Sequence, residues 1–212
     1  MFLLDFLFPK RCLGCKREGK YICDLCLSKV QRARPIYLGP KSKSSLNGLV
    51  SIFRYEGVVK KAILTMKYRF SFDIASELAE AVVQQLLERR KTLPRNPILT
   101  VVPMHDLRKN WRGFNQSEEI GKLIAKRMGW RFIPDLLVKK VNTVPQVDLK
   151  RVERMQNIKG VLSFNPSYKQ SALPHCAIIF DDVFTTGATI NEACRVIKEK
   201  GVKRVWGITV AR

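Results

Sequence analysis

Between Cys176 and Ile190 the chain reads C-A-I-I-F-D-D-V-F-T-T-G-A-T-I: an apolar run, two adjacent acids, a hydroxyl-rich loop and the start of a helix. Each part has a chemical use. Successive backbone N–H groups of Thr185 to Ala188 at a helix start form an anion nest, and the hydroxyls of Thr185, Thr186 and Thr189 add donors. Gly187, with no Cβ, lets a phosphate approach the backbone closely. Asp181 and Asp182, at the strand end, can accept hydrogen bonds from the two hydroxyls of a ribose. Residues 178–190 are therefore expected to hold a ribose 5-phosphate. Neither G-x-x-x-x-G-K-[ST] nor G-x-G-x-x-G occurs, so the triphosphate loop and the dinucleotide fingerprint do not compete for this segment.

A second constellation lies near the start of the chain. Cys12, Cys15, Cys23 and Cys26 follow the pattern C-x2-C-x7-C-x2-C, with Gly14 inside the first pair. Two such knuckles can converge four thiolates on a tetrahedral metal. Soft sulfur ligands select zinc or an iron–sulfur cluster, and paired knuckles in a basic chain favour closed, structural zinc over two disulfides. Cys176 and Cys194 fall in an expected strand and helix, where a small buried hydrophobe is the ordinary role. His105 and His175 have no partner at a spacing that would mark a triad or a metal site.

These residues need elements to hold them. Leu49 to Tyr55 alternates as a strand, and Gly57 to Met66 follows with helical spacing. A stronger amphipathic helix runs from Asp73 to Arg90, capped by Ser71 or Asp73. Ile98 to Val102 is a short buried strand. Asn115 opens a helix with Glu118 three positions later, and Gly129 closes it. Leu136 to Val141, Cys176 to Val183 and Arg204 to Val210 are further strands, with a helix at Thr189 to Lys200. Alternation of this kind predicts an α/β fold with a parallel sheet flanked by helices, where ligands bind at the carboxyl ends of strands. Arg32 to Ser45, with its Pro, Gly, Lys and Ser, reads as a linker between a zinc-binding segment (residues 1–35) and the main domain (residues 46–212).

The chain has 212 residues, 46% of them hydrophobic, which excludes wholesale disorder. With 39 Lys plus Arg against 18 Asp plus Glu, the formal net charge is +21. Such a field draws polyanions, nucleic acid first among them; a merely soluble basic surface is the plainer reading. No apolar run is long enough to cross a bilayer, and Met1 to Phe8 is expected to pack against the protein. Arg108, Lys109 and Arg112 crowd the loop after the Val102 strand, where they would neutralise either pyrophosphate or a nucleic-acid backbone. Trp111 and Phe114 among them would either stack on unpaired bases or pack beneath the loop.

The segment from Ile178 to Ile190 closely resembles the PRPP-binding signature of type I phosphoribosyltransferases. The resemblance extends further. Cys12 to Cys26, Tyr55-Glu56-Gly57, Met66-Lys67-Tyr68, Val102-Pro103, Arg112-Gly113-Phe114-Asn115-Gln116, Pro145-Gln146 and Arg151 to Asn157 occur in an order similar to the ComF family of late-competence proteins. That resemblance implies a type I phosphoribosyltransferase-like domain behind a small four-cysteine zinc knuckle. It also implies PRPP and Mg2+ as ligands, with Asp181 and Asp182 catalytic if the protein is an enzyme, and Lys67 as a pyrophosphate contact. Arg151 and Arg154 would lie on a lid that closes over PRPP. By the same resemblance the protein is expected in the cytoplasm, handling single-stranded DNA during uptake for natural transformation beside DNA-uptake proteins at the inner face of the membrane. A resembling subgroup is linked to sugar-acid utilisation, against which the basic charge argues, and no acceptor base is identified by any recognisable hood.

Overall fold

The computed structural model describes residues 9–37, 45–69, 71–104, 113–139, 160–169 and 173–212. Their strands are β1 (Ile36–Tyr37), β2 (Gly48–Phe53), β3 (Ile98–Val101), β4 (Arg131–Phe132), β5 (Leu137–Lys139), β6 (Leu162–Phe164), β7 (Cys176–Val183) and β8 (Arg204–Ala211). Their helices are α1 (Asp24–Ser28), α2 (Gly57–Tyr68), α3 (Phe72–Glu88), α4 (Gln116–Met128) and α5 (Ala188–Glu199).

The main sheet has the order β1-β2-β8-β7-β3-β4. Its last five strands pair in parallel, and β1 adds antiparallel at the edge. The expected α/β architecture with a parallel sheet is thus present. The central strands are apolar on both faces because both are covered. Ile178 and Phe180 of β7 face a cluster built from α2, α3, α4 and the cysteine knuckle, whereas Ala177 and Ile179 face one built from α5, β5 and β6.

The helix boundaries follow from local chemistry. Ser71, not Asp73, caps α3 by accepting from the Ile74 N–H at 3.4 Å. Asn115 caps α4 by accepting from the Ser117 N–H at 3.1 Å, and Gly129 ends that helix in the left-handed region at φ 70°. Gly121 on α4 faces β3 so closely that a Cβ there would lie 3.0 Å from Val101 Cγ1, which explains a glycine within an otherwise ordinary helix.

Two expectations need correction. The strand expected at Leu136 to Val141 does not join the parallel sheet; instead β5 pairs antiparallel with β6 in a separate two-stranded sheet. Leu136, Leu137 and Leu162 bury their side chains in the cluster beneath α5, so this pair serves as a cover for one sheet face. The segment read as a linker also contributes structure, since Ile36 and Tyr37 pair with Leu49 and Gly48, and Arg32 bridges Phe53.

The chain leaves the two central strands toward different faces. β3 leads into α4 on one face and β7 leads into α5 on the other, although β3 and β7 are neighbours. Connections that leave adjacent parallel strands in opposite directions open a crevice at their carboxyl ends.

Candidate functional site

Asp181 and Asp182 stand at that crevice. They are still in register with β8, with Asp181 opposite Thr209, and Phe184 donates its N–H to Ala211 O at 2.9 Å just beyond the strand. The two carboxylates meet the ends of different helices, both from the cluster that covers the Phe180 face. Asp182 meets α2, where the Lys67 ammonium lies 3.8 Å from its Oδ2. Asp181 meets α4, accepting from the Ser117 hydroxyl at 3.1 Å, and its Oδ1 also takes the Asp182 N–H at 2.9 Å. Burial and the neighbouring Asp182 charge push the Asp181 pKa up to about 8, against those two donors and Lys67, which lower it.

The loop after the strand forms a cleft lined by Asp181, Val183 to Ile190 and Thr209. Its turn depends on Gly187, which sits in the left-handed region at φ 76° and caps α5 without any side-chain cap hydrogen bond. A Cβ at this position would lie 2.6 Å from two carbons of the Phe184 ring, so glycine is required by conformation and by space. The Ala188 N–H points to Thr186 Oγ1 at 3.3 Å, and the first helical bond runs from Asn191 N–H to Gly187 O at 2.9 Å. The Asn191 side-chain amide donates to the same carbonyl at 2.8 Å and holds the turn. N–H groups of a first helical turn precede the ladder, and with the half-buried Thr186 and Thr189 they make a concavity of hydrogen-bond donors whose rim is Asp181, chemically suited to an anion.

Asp181, Thr185, Thr186, Gly187, Ala188 and Thr189 are therefore gathered in one cleft, with Asp182 and Lys67 beside it. Phe114 is half-buried immediately before the cap of α4. Arg108, Lys109, Trp111, Arg112, Arg151 and Arg154 lie outside the described residues, as do Met1 to Phe8 and His105. Ser117, Asn191 and Thr209 belong to the site and escaped the sequence reading. For Ser117 the available signal was its position two residues after a helix-capping asparagine, but nothing local says that this helix starts beside Asp181.

The four amino-terminal cysteines also converge. Their sulfurs all lie within 4.8 Å of one another, with Cys15 Sγ and Cys23 Sγ at 3.6 Å, and none is in a disulfide. Tetrahedral zinc with Zn–S bonds of about 2.3 Å sets sulfurs about 3.8 Å apart, so the donor set fits that ion. Backbone N–H groups of Gly14 and Cys26 point at Cys12 Sγ and Cys23 Sγ, each at 3.4 Å, as knuckles hold thiolates. Burial opposes ionisation of Cys12, but N–H donors around it prevail and lower its pKa to about 6; Cys26, desolvated beside the other sulfurs, is raised to about 12. Gly14 is again a matter of space, since a Cβ there would lie 2.6 Å from Cys26 Sγ. The knuckle is fastened to α3 by Glu77, which accepts the N–H groups of Tyr21 and Ile22 at 3.2 and 2.6 Å. Cys12, Ile22 and Val30 share the buried cluster of α2 and α3.

Comparison with known proteins finds relatives along most of the chain. Competence protein F of Haemophilus influenzae is 29% identical over 210 residues, covering 94% of this chain and 90% of that protein. The chain is similar to competence proteins of the ComF type. The DNA utilization protein YhgH of Salmonella typhi is 27% identical over 163 residues, 74% of this chain and 70% of its own length. Competence protein ComFC of Bacillus subtilis is 24% identical over 152 residues, 71% of this chain and 58% of that protein. No family model matches the chain. The ComF-type resemblance drawn from separate motifs thus extends over nearly the whole length, and no helix among the described residues is long and apolar enough to cross a membrane.

Proposed function

We propose that this ComF-type chain binds PRPP with Mg2+ in the cleft between β7 and α5 and acts on single-stranded DNA during natural transformation, in the cytoplasm. Asp181 and Asp182 hold the ribose hydroxyls, the turn from Thr185 to Thr189 holds the 5-phosphate, and Lys67 meets the pyrophosphate. Mg2+ bound with PRPP beside Asp181 and Asp182 would neutralise the charge of the pyrophosphate. If a nucleophile displaces pyrophosphate at the anomeric carbon, the two acids steady the positive charge that develops on the sugar. Zinc on the four cysteines is structural and keeps residues 9–37 docked on the main domain.

One observation carries this reading. The Lys67 ammonium lies 3.8 Å from Asp182, whose neighbour Asp181 lines the cleft formed by the Gly187 turn and the start of α5, so a cation and a second acid stand beside an acid-rimmed helix N-terminus. A sugar with phosphates at both ends needs that arrangement: anion donors at two sides and hydroxyl acceptors between them. The DNA half of the proposal is supported by the net charge of +21 and by relatives named for competence and DNA utilization.

The test is calorimetric titration of PRPP with Mg2+, with and without single-stranded DNA at several salt concentrations. PRPP binding coupled to salt-sensitive DNA binding supports the proposal. PRPP binding without DNA binding points to a transferase for a small-molecule acceptor. Absence of PRPP binding refutes the assignment of the cleft.

A further inference from the structure

The outer face of α2 is unusual for a globular protein. Tyr68 is 78% exposed and Phe72, the first residue of α3, is 59% exposed, and these are the two most exposed of the large hydrophobic side chains described. Leu64, one turn before Tyr68, is 37% exposed. Lys60 and Lys61 lie on the same stripe at helical spacing, and Arg69 follows at the helix end, all three exposed. The stripe from Lys60 to Tyr68 is about 12 Å long.

Acids near this stripe are engaged elsewhere. Glu56 accepts the Gln31 N–H at 3.1 Å, and Asp73 is paired with Lys10 at 2.9 Å. Lys60 lies 5.7 Å from the centre of the Tyr55 ring, which adds a third aromatic to the row. Exposed rings cost solvation unless something covers them, and rings interleaved with exposed cations that form no ion pair among the described residues match one polymer well. Bases of a single strand stack on the rings while phosphates meet the cations, whereas a duplex keeps its bases stacked inside. Lys67, which meets Asp182, precedes Tyr68 at the end of the same helix.

We propose that Lys60, Lys61, Tyr68, Arg69 and Phe72 form a stacking platform for single-stranded nucleic acid that leads the strand to the edge of the Asp181–Asp182 cleft. The platform rests on the reading of the chain as a protein that handles single-stranded DNA, and it locates that contact on α2 and the start of α3. Its position, one residue along from Lys67, would present an unpaired base to a sugar held in the cleft.

Fluorescence anisotropy of a labelled oligothymidine with the full-length, zinc-loaded protein tests it, at several salt concentrations and beside Mg2+–PRPP titration of the same preparations. Tyr68→Ala and Phe72→Ala are each expected to weaken oligothymidine binding about tenfold, and Tyr68→Trp to retain it. The double variant Lys60→Glu with Lys61→Glu is expected to reduce the slope of log affinity against log salt by about 1.4. All four side chains are exposed, so unchanged melting temperatures and PRPP affinity should accompany these losses. Wild-type protein that binds no oligothymidine overturns both the platform and the DNA half of the proposed function. Wild-type binding that survives all of these substitutions overturns the platform alone. A variant that instead converts a dimer to a monomer in sedimentation assigns the stripe to a contact between copies and overturns it as well.

Discussion

The Ser117 hydroxyl on α4 donates to Asp181 on β7 at 3.1 Å, across 64 positions of sequence. This bond favours the ionised carboxylate at a place where burial and Asp182 disfavour it. Ser117→Ala should weaken Mg2+–PRPP affinity roughly fivefold at neutral pH, about 1 kcal/mol, and move the rise of affinity with pH to higher pH. Calorimetry between about pH 6 and 9 measures both effects, and a variant with unchanged affinity and pH profile would remove Ser117 from the site.

Asp181 should also leave a mark on stability. In the unfolded chain it ionises near its ordinary value of about 4, whereas in the folded protein it keeps its proton up to about 8. Across that window the folded state binds more protons than the unfolded state. The contribution of this group to stability is complete below the lower value and is lost as pH rises through the upper one. Asp181→Asn has no such group to ionise, so its melting temperature should gain on the wild type as pH rises from about 4 to 8. A difference that stays constant across the series would contradict the raised pKa.

Gly187→Ala should destabilise the protein by at least about 1 kcal/mol, through the left-handed backbone alone, and abolish PRPP binding through collision with the Phe184 ring. Gly187→Ala combined with Phe184→Ala removes the collision and keeps the backbone strain. Partial recovery of stability in the double variant, read by urea denaturation, is the expected result.

Zinc analysis should find one ion per chain. Chelation should lower the melting temperature, because a metal bound only by the folded knuckle adds its binding free energy to folding. No zinc, together with paired thiols, would refute the metal site.

Glu77 links the knuckle to α3 by two N–H contacts, and burial raises its pKa despite them. Glu77→Ala leaves both donors without a partner and should cost about 2 kcal/mol in urea denaturation. The same variant should lose zinc to a chelator faster than the wild type, whereas Glu80→Ala, whose carboxylate is paired with Arg127 at 2.7 Å, should not.

Much of this protein was legible from residue order because the informative interactions are local. An acid pair followed by threonines and a glycine implies a strand end, a tight turn and a helix start, and all of those contacts fall within about a dozen positions. The cysteine knuckles are local in the same sense, and so are the caps at Ser71, Asn115 and Gly129. Pairing is different. Periodicity told that Leu137 to Lys139 is extended, yet a strand's partner is chosen by burial and register far along the chain, and the two-residue strands β1 and β4 have too few positions to show any period.

The chemistry divides along the same line. Side-chain types and spacing by themselves determined that a glycine turn opens a helix after an acid pair and that four thiols cluster, since each is built from neighbours in sequence. Only the tertiary structure decided that Asp181 and Asp182 meet different partners, that Ser117 and Lys67 are those partners, and that the rings of Tyr68 and Phe72 stay exposed. The reason is physical: Lys67 and Ser117 are distant from β7 in sequence, and which helix ends reach the carboxyl end of a strand depends on how packing sets those helices against the sheet.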